Sequence, residues 1–167
     1  SGLKINTNFT ESEKILNRQG ITILNAIFTK KSYKNLKKGF DENYNVIGDL
    51  DFFYRLSKKV KAEYINEPLA VYRLHEKNYS KLNKLEEINE LKKWYKEVFL
   101  KISFENINEK KIIENAIMLR EIIYLLLNNN RIKSLSKILL FKNSFLKLKL
   151  FFAIFIPNYI LKKYLKF

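Results

Sequence analysis

The hydrophobic pattern changes period near Ser80, and this change limits the folds open to the chain more than any other feature. Before it, short apolar runs stand between turn residues. Ile21-Thr-Ile-Leu-Asn-Ala-Ile-Phe28, bounded by Gly20 and a lysine pair, predicts a buried strand. Val60-Lys-Ala-Glu-Tyr-Ile65 and Leu69-Ala-Val-Tyr-Arg-Leu74, with Asn66-Glu-Pro68 as the turn, predict two more. Between them a short helix is expected over Lys30 to Lys38, closed by Gly39 as its C-cap. A second is expected from Asp49 to Lys59, where acids come first and bases last, as the helix dipole favours.

After Ser80 the apolar residues recur every three or four positions: Leu82, Leu85, Ile88, Leu91, Tyr95 and Val98. A further helix at about 107 to 128 uses Ile112, Ala116, Leu119, Ile123 and Leu126, and Asn128-Asn-Asn130 ends it. The expected fold is therefore α/β first and helical afterwards. The expected divisions are residues 1–80, a helical extension over 81–130 and a basic amphipathic tail over 131–167.

At 167 residues and 20.0 kDa the chain fits one domain or a large part of one, which leaves no room for two full enzyme lobes. It has no cysteine, which excludes disulfides, thiolate metal sites and a cysteine nucleophile. His75 is the single histidine, which excludes a multi-histidine metal site. The opening Ser1-Gly-Leu, without a signal-peptide pattern, reads as a cut piece or a tagged form.

The net charge of +15 is uneven: residues 1–121 carry +6, whereas residues 122–167 hold nine Lys and Arg and no acid. Richness in Lys, Ile and Asn is also what AT-rich coding produces. The tail has one Arg and mostly Lys, which disfavours nucleic acid as a partner. Its longest uncharged apolar run, Leu150 to Ile156, is far below the roughly 20 residues that span a bilayer. Phe145 to Phe151 alternates like a strand among helical neighbours, and Pro157 should kink or restart a helix. Lys147, Lys149, Lys162, Lys163 and Lys166 flank an aromatic stretch that suits an anionic membrane surface; ordinary core packing is the alternative.

Two places could carry chemistry. Asp49 and Asp51 stand at an expected helix start. They can serve as N-cap and dipole partner, or Asp49 can act as a general base. Tyr72-Arg-Leu-His-Glu-Lys-Asn-Tyr-Ser80 places Arg73, His75, Asn78 and Ser80 close together, either as a solvated loop or as a loop that binds phosphate or metal.

The order of four motifs gives these places more weight. Gly39-Phe-Asp-Glu42, Gly48-Asp-Leu-Asp-Phe-Phe-Tyr-Arg-Leu56, Asn66-Glu-Pro-Leu-Ala70 and Tyr72-Arg-Leu-His75 followed by Ser80 resemble, over residues 20–80, the C-terminal half of a family 2 glycosyltransferase. The resemblance implies the acceptor-side half of an A-type nucleotide-sugar sheet, followed here by the helical extension. It implies inverting transfer from a nucleotide-sugar donor to a glycan or lipid-linked acceptor. Asp49 would be the base, and an ordinary aspartate, with a pKa of about 4, is ionised at neutral pH. Asp51, Arg55, Arg73, Asn78 and Ser80 would bind or support substrate, and His75 would contact a divalent Mg or Mn ion or the diphosphate.

The metal would be held mainly by a donor half upstream of Ser1, because no buried strand ending in Asp-x-Asp is found. Without that half the chain should be inactive. Gly48 stands where the family has glutamate. The resemblance also implies a cytoplasmic protein, peripheral at the inner face of the plasma membrane if the tail docks. The competing class is a non-enzymatic basic helical module that binds membrane or nucleic acid.

Overall fold

Helix α1 (Glu11–Leu16) begins with a reciprocal cap: Thr10 Oγ1 accepts from Glu13 N at 3.3 Å, and Glu13 Oε2 accepts from Thr10 N at 2.8 Å. In this computed structural model, residues 10–17, 26–36, 38–63, 65, 67, 70–71, 79–102 and 106–164 are described. The next helices are α2 (Lys30–Lys34), α3 (Gly48–Ser57), α4 (Tyr79–Leu82) and α5 (Lys84–Trp94). A π-helical turn, Tyr95–Phe99, runs into α6 (Leu100–Ile102). Then come α7 (Ile107–Leu127), α8 (Arg131–Leu140), α9 (Ser144–Ala153) and α10 (Asn158–Tyr164).

The expected α/β class is corrected: among the described residues all regular structure is helical, and there is no strand. Residues 21–25, 64, 69 and 72–74 of the expected strands lie outside the described residues. The described remainder, residues 26–28, 60–63, 65, 70 and 71, belongs to no strand. A strand needs a neighbour to pair its amides and an apolar layer to cover one face. Ile27, Ile65 and Val71 have no such cover, being 87%, 64% and 93% exposed. The first expected helix is also shorter than predicted. It ends at Lys34 with Asn35 as C-cap, and Gly39 sits in the loop beyond.

The chain divides into two compact units, residues 1–113 and 114–167, with the division inside α7. The core of the first is built around α3, on which Leu50, Asp51, Phe52, Phe53, Tyr54 and Leu56 are all buried. A helix buried on nearly every side is central rather than superficial. Helix α1 packs on it, and the Tyr54 ring lies 5.1 Å from Trp94 and 5.8 Å from Phe99. Trp94 and Phe99 are five residues apart, so a regular α-helix would turn them to different sides. The wider π turn brings both inward, with ring centroids 5.9 Å apart. Burial of aromatic side chains of this size contributes about 1.5–3 kcal/mol each.

Glu109, 1% exposed in the first turn of α7, ties α1 and α3 together. Ser12 Oγ and Lys58 Nζ donate to its Oε1 at 2.5 and 2.6 Å, and Tyr54 Oη donates to its Oε2 at 2.7 Å. Burial pushes this carboxyl up, but the bonds from Lys58, Ser12 and Tyr54 outweigh it and hold the group below its ordinary value.

In the second unit Ile122, Ile123, Leu126, Ile138, Phe141, Leu150, Ala153 and Leu161 form one core. Helix α7 stops as the asparagine run predicts. Asn129 takes φ 60°, Asn130 N donates to Leu125 O and Asn129 N to Leu126 O, which together close a Schellman-type end. The alternating segment Phe145 to Phe151 is helical, because Leu146, Leu150 and Ala153 then share the core side, and Asn143 caps it through Leu146 N at 3.0 Å. Pro157 stands between α9 and α10 as expected, and Arg131 fastens that junction by donating to Ala153 O, Ile156 O and Asn158 Oδ1. Among the described residues no helix is long and apolar enough to cross a membrane.

The depressed Glu109 carboxyl makes acid stability testable. Its folded pKa lies below the unfolded one, so its contribution is complete above the ordinary glutamate range and is lost as pH falls through the folded value. Urea unfolding followed by the fluorescence of Trp94, the single tryptophan, should show the midpoint falling between about pH 5 and pH 3. Glu109→Gln should cost about 1–3 kcal/mol at neutral pH and flatten that slope. An unchanged slope would remove Glu109 from the acid response.

Candidate active site

Helix α3 opens without a cap of its own. Its N-cap residue, Ile47, has no side-chain acceptor, and the amides of Asn45, Val46 and Ile47 turn instead toward Glu90 of α5. Their N–H groups donate to Glu90 Oε1 and Oε2 at 2.7, 2.9 and 3.1 Å. Successive backbone amides form a concave receptor for an anion, and negative charge is favoured at a helix start. Asn45 Nδ2 adds a bond to Glu86 Oε1 at 2.9 Å. Glu90 thus holds the three residues that lead into α3, whereas the first-turn amide of Leu50 is met by Asp49 itself, as the sequence suggested.

Asp49 itself lies in the first turn of α3, half-buried, with Oδ1 accepting from Leu50 N at 2.7 Å. Gly48 beside it adds no bulk, and a methyl group placed there would meet nothing within 4 Å. Among the described residues the space beside Gly48 is therefore open.

Asp51 has a different role. Its side chain is 1% exposed, and Arg55 Nε donates to both of its oxygens at 3.1 and 3.0 Å while Nη2 donates to Oδ2 at 2.6 Å. Trp94 Nε1 donates to Oδ1 at 2.9 Å. The remaining donors of Arg55 reach the Lys38 and Gly39 carbonyls, each at 2.7 Å. This fork fixes the Gly39 to Glu42 loop against α3, and Phe40 stacks on Phe52 at 4.2 Å to seal the contact. Asp51 and Arg55, expected to bind or support substrate, hold the loop against α3.

The loop is also tied within itself. Asp41 pairs with Lys38 at 2.8 Å and accepts from Asn43 N at 3.0 Å, and the bond from Lys38 holds its carboxyl below the ordinary value. Tyr44, just beyond, is buried. Burial first, and then the negative charges of Asp51, Glu97, Asp41 and Glu90, push its phenol up to about 12, so it stays neutral at physiological pH.

Arg73, His75 and Asn78 lie outside the described residues. Ser80 falls in α4, but its side chain is likewise outside them. Among the described residues no group of three or more acids or histidines is arranged to hold a metal. The local carboxylates do not fit one, since Asp51 and Glu90 are saturated by Arg55, Trp94 and backbone amides. The reading from sequence missed Glu90 and Trp94. Their signal was present: Glu87, Glu90, Leu91 and Trp94 recur at helical spacing and are all buried, whereas the expected stripe residues Leu82 and Leu85 are exposed. No family model, no curated protein and no solved structure matches the chain.

Arg55→Lys tests the fork. An ammonium cannot span a carboxylate and two carbonyls, so unfolding followed by Trp94 should show a loss of about 2 kcal/mol. Amide exchange in residues 39–43 should quicken below the urea midpoint. Stability within about 0.5 kcal/mol of wild type would show that the loop is held by other contacts.

Proposed function

We propose that this chain contributes the acceptor-side portion of an inverting glycosyltransferase, with Asp49 as the catalytic base. One observation carries the reading. Of the three carboxylates at the start of α3, two are enclosed and saturated, and Asp49 is the one left half-exposed beside the open space at Gly48. The four ordered motifs supply the reaction class.

In the proposed step an acceptor hydroxyl of a glycan or lipid-linked saccharide approaches Asp49. As its oxygen attacks the anomeric carbon, the proton passes to the Asp49 carboxylate. The bond from that carbon to the phosphate oxygen breaks, and the nucleoside diphosphate leaves with the electron pair. The chain's own part is to hold the base still. Glu90 holds the residues that lead into α3, and the Asp51–Arg55 fork fixes the adjoining loop, so that Asp49 meets the hydroxyl in one geometry. The nucleotide-sugar donor and its divalent ion are assigned to residues outside those described.

The test measures nucleoside diphosphate released from UDP- and GDP-sugars by the natural full-length protein, with saccharide acceptors and Mg or Mn ions. Asp49→Asn should lower release about 10²- to 10⁴-fold. Folding should be nearly unchanged, because an asparagine Oδ1 can still accept from Leu50 N. Release near the wild-type rate would take Asp49 out of the mechanism. No release by wild type from any donor would overturn the class.

A further inference from the structure

Helix α9 is apolar on two opposite sides. One side, Leu150 and Ala153, is buried in the core of the second unit, with Leu146 packed against it. On the other, Phe145, Leu148, Phe152 and Phe155 stand at i, i+3, i+7 and i+10 and are 71%, 56%, 59% and 73% exposed. At 3.6 residues per turn these four share one face. The turn after Ala153 continues that face through bonds from Phe155 N to Phe152 O and from Ile156 N to Ala153 O. Phe151 joins the rings of Phe152 and Phe155 at 6.1 and 5.8 Å. Beside them lies an open groove of about 270 Å³ between α8 and α9, lined by Ile138, Leu139, Leu148 and Phe151, with Lys147 also on its wall.

A helix facing water carries polar groups on its outer side, whereas here the cations stand on the two seams. Lys147 borders one edge and Lys149 the other, with the Lys149 ammonium 4.3 Å from the Phe145 ring centroid. Lys142 precedes the helix, and Lys162 lies one turn after the exposed Tyr159 on α10. No acid occurs from residue 122 to the end. A second copy would meet this face with charge of the same sign. The complementary partner carries negative charge over an apolar interior.

We propose that this face docks on an anionic lipid bilayer. Phe145, Leu148, Phe152 and Phe155 enter the interface, and Lys142, Lys149 and Lys162 lie among the headgroups. The groove beside Leu148 can receive part of an acyl chain. The inference does not depend on the transfer reading.

The test is co-sedimentation of the whole chain with vesicles of phosphatidylcholine alone or mixed with phosphatidylglycerol, alongside binding to polyuridylate. Wild type should bind the mixed vesicles and bind the neutral ones far less. A variant carrying Phe145→Ser, Leu148→Ser, Phe152→Ser and Phe155→Ser should bind about ten-fold or more weakly. Lys142→Gln, Lys149→Gln and Lys162→Gln together should cost on the order of a hundred-fold, at about five-fold per lysine. If circular dichroism shows that the four-serine variant has lost helix, Phe145→Ser and Phe155→Ser made singly carry the test, each with a measurable loss expected. Failure of wild type to bind anionic vesicles, or equal binding by the serine variants, overturns the proposal. So does a serine variant that loses polyuridylate but keeps vesicles, since the face would then serve nucleic acid. Asp49→Asn should bind vesicles like wild type, so the two readings fail separately.

Discussion

The carboxylate of Asp51 is the constraint around which the first unit is arranged. Removing such a charge from water costs several kcal/mol, and a lone attraction to one cation rarely offsets it. Here the Arg55 guanidinium meets it with two nitrogens and the Trp94 indole adds a third donor, so one buried group requires α3 and α5 to be in register. Because the same guanidinium also holds the Lys38 and Gly39 carbonyls, the loop cannot move without exposing the pair. Glu90 and Glu109 repeat the principle, one receiving backbone amides and the other a lysine, a serine and a tyrosine. Three buried acids therefore position the helices, and the aromatic packing of Phe52, Tyr54, Trp94 and Phe99 fills the space between them.

This arrangement separates two kinds of carboxylate that look alike in the sequence. Asp49 and Asp51 are two residues apart on one helix, so they point to different sides of it. One is turned toward the Trp94 side and closed; the other stays at the surface end of the helix beside Gly48. Fixing the first is what gives the second a defined position at the start of α3. In the second unit charge is distributed differently. Arg131 is drawn inward to carbonyl oxygens at the α9–α10 junction, while the lysines border an exposed apolar face.

Much of the helical architecture is legible in the sequence. The Asn128-Asn-Asn130 stop, the restart at Pro157 and the helix after Gly48 are local events, governed by hydrogen bonds between residues a few positions apart. The cap at Thr10 and Glu13 is equally local, and its Thr-x-x-Glu spacing is a signal that the expected elements did not use. The strand expectations fail because β-branched runs, such as the one that ends at Ile27 and the one that begins at Val60, report a tolerance for extended backbone, not the presence of a partner. Of the apolar stripe expected after Ser80, Ile88 and Leu91 are buried, whereas Leu82 and Leu85 fit the period but face solvent, and Glu87, Glu90 and Trp94 complete the buried side.

By itself the sequence determined the charge asymmetry, the absence of thiol chemistry, the ends of the long helices and the pair of aspartates at the start of α3. Tertiary structure alone decided which aspartate is closed and which is open, and that Glu90 of α5 holds the residues that lead into α3. It also decided that one side of α9 is left in solvent with its phenylalanines. The division has a physical reason. Propensity, capping and charge act over one or two turns of chain, whereas burial of an ionised group or a ring depends on which distant donors and surfaces arrive to cover it.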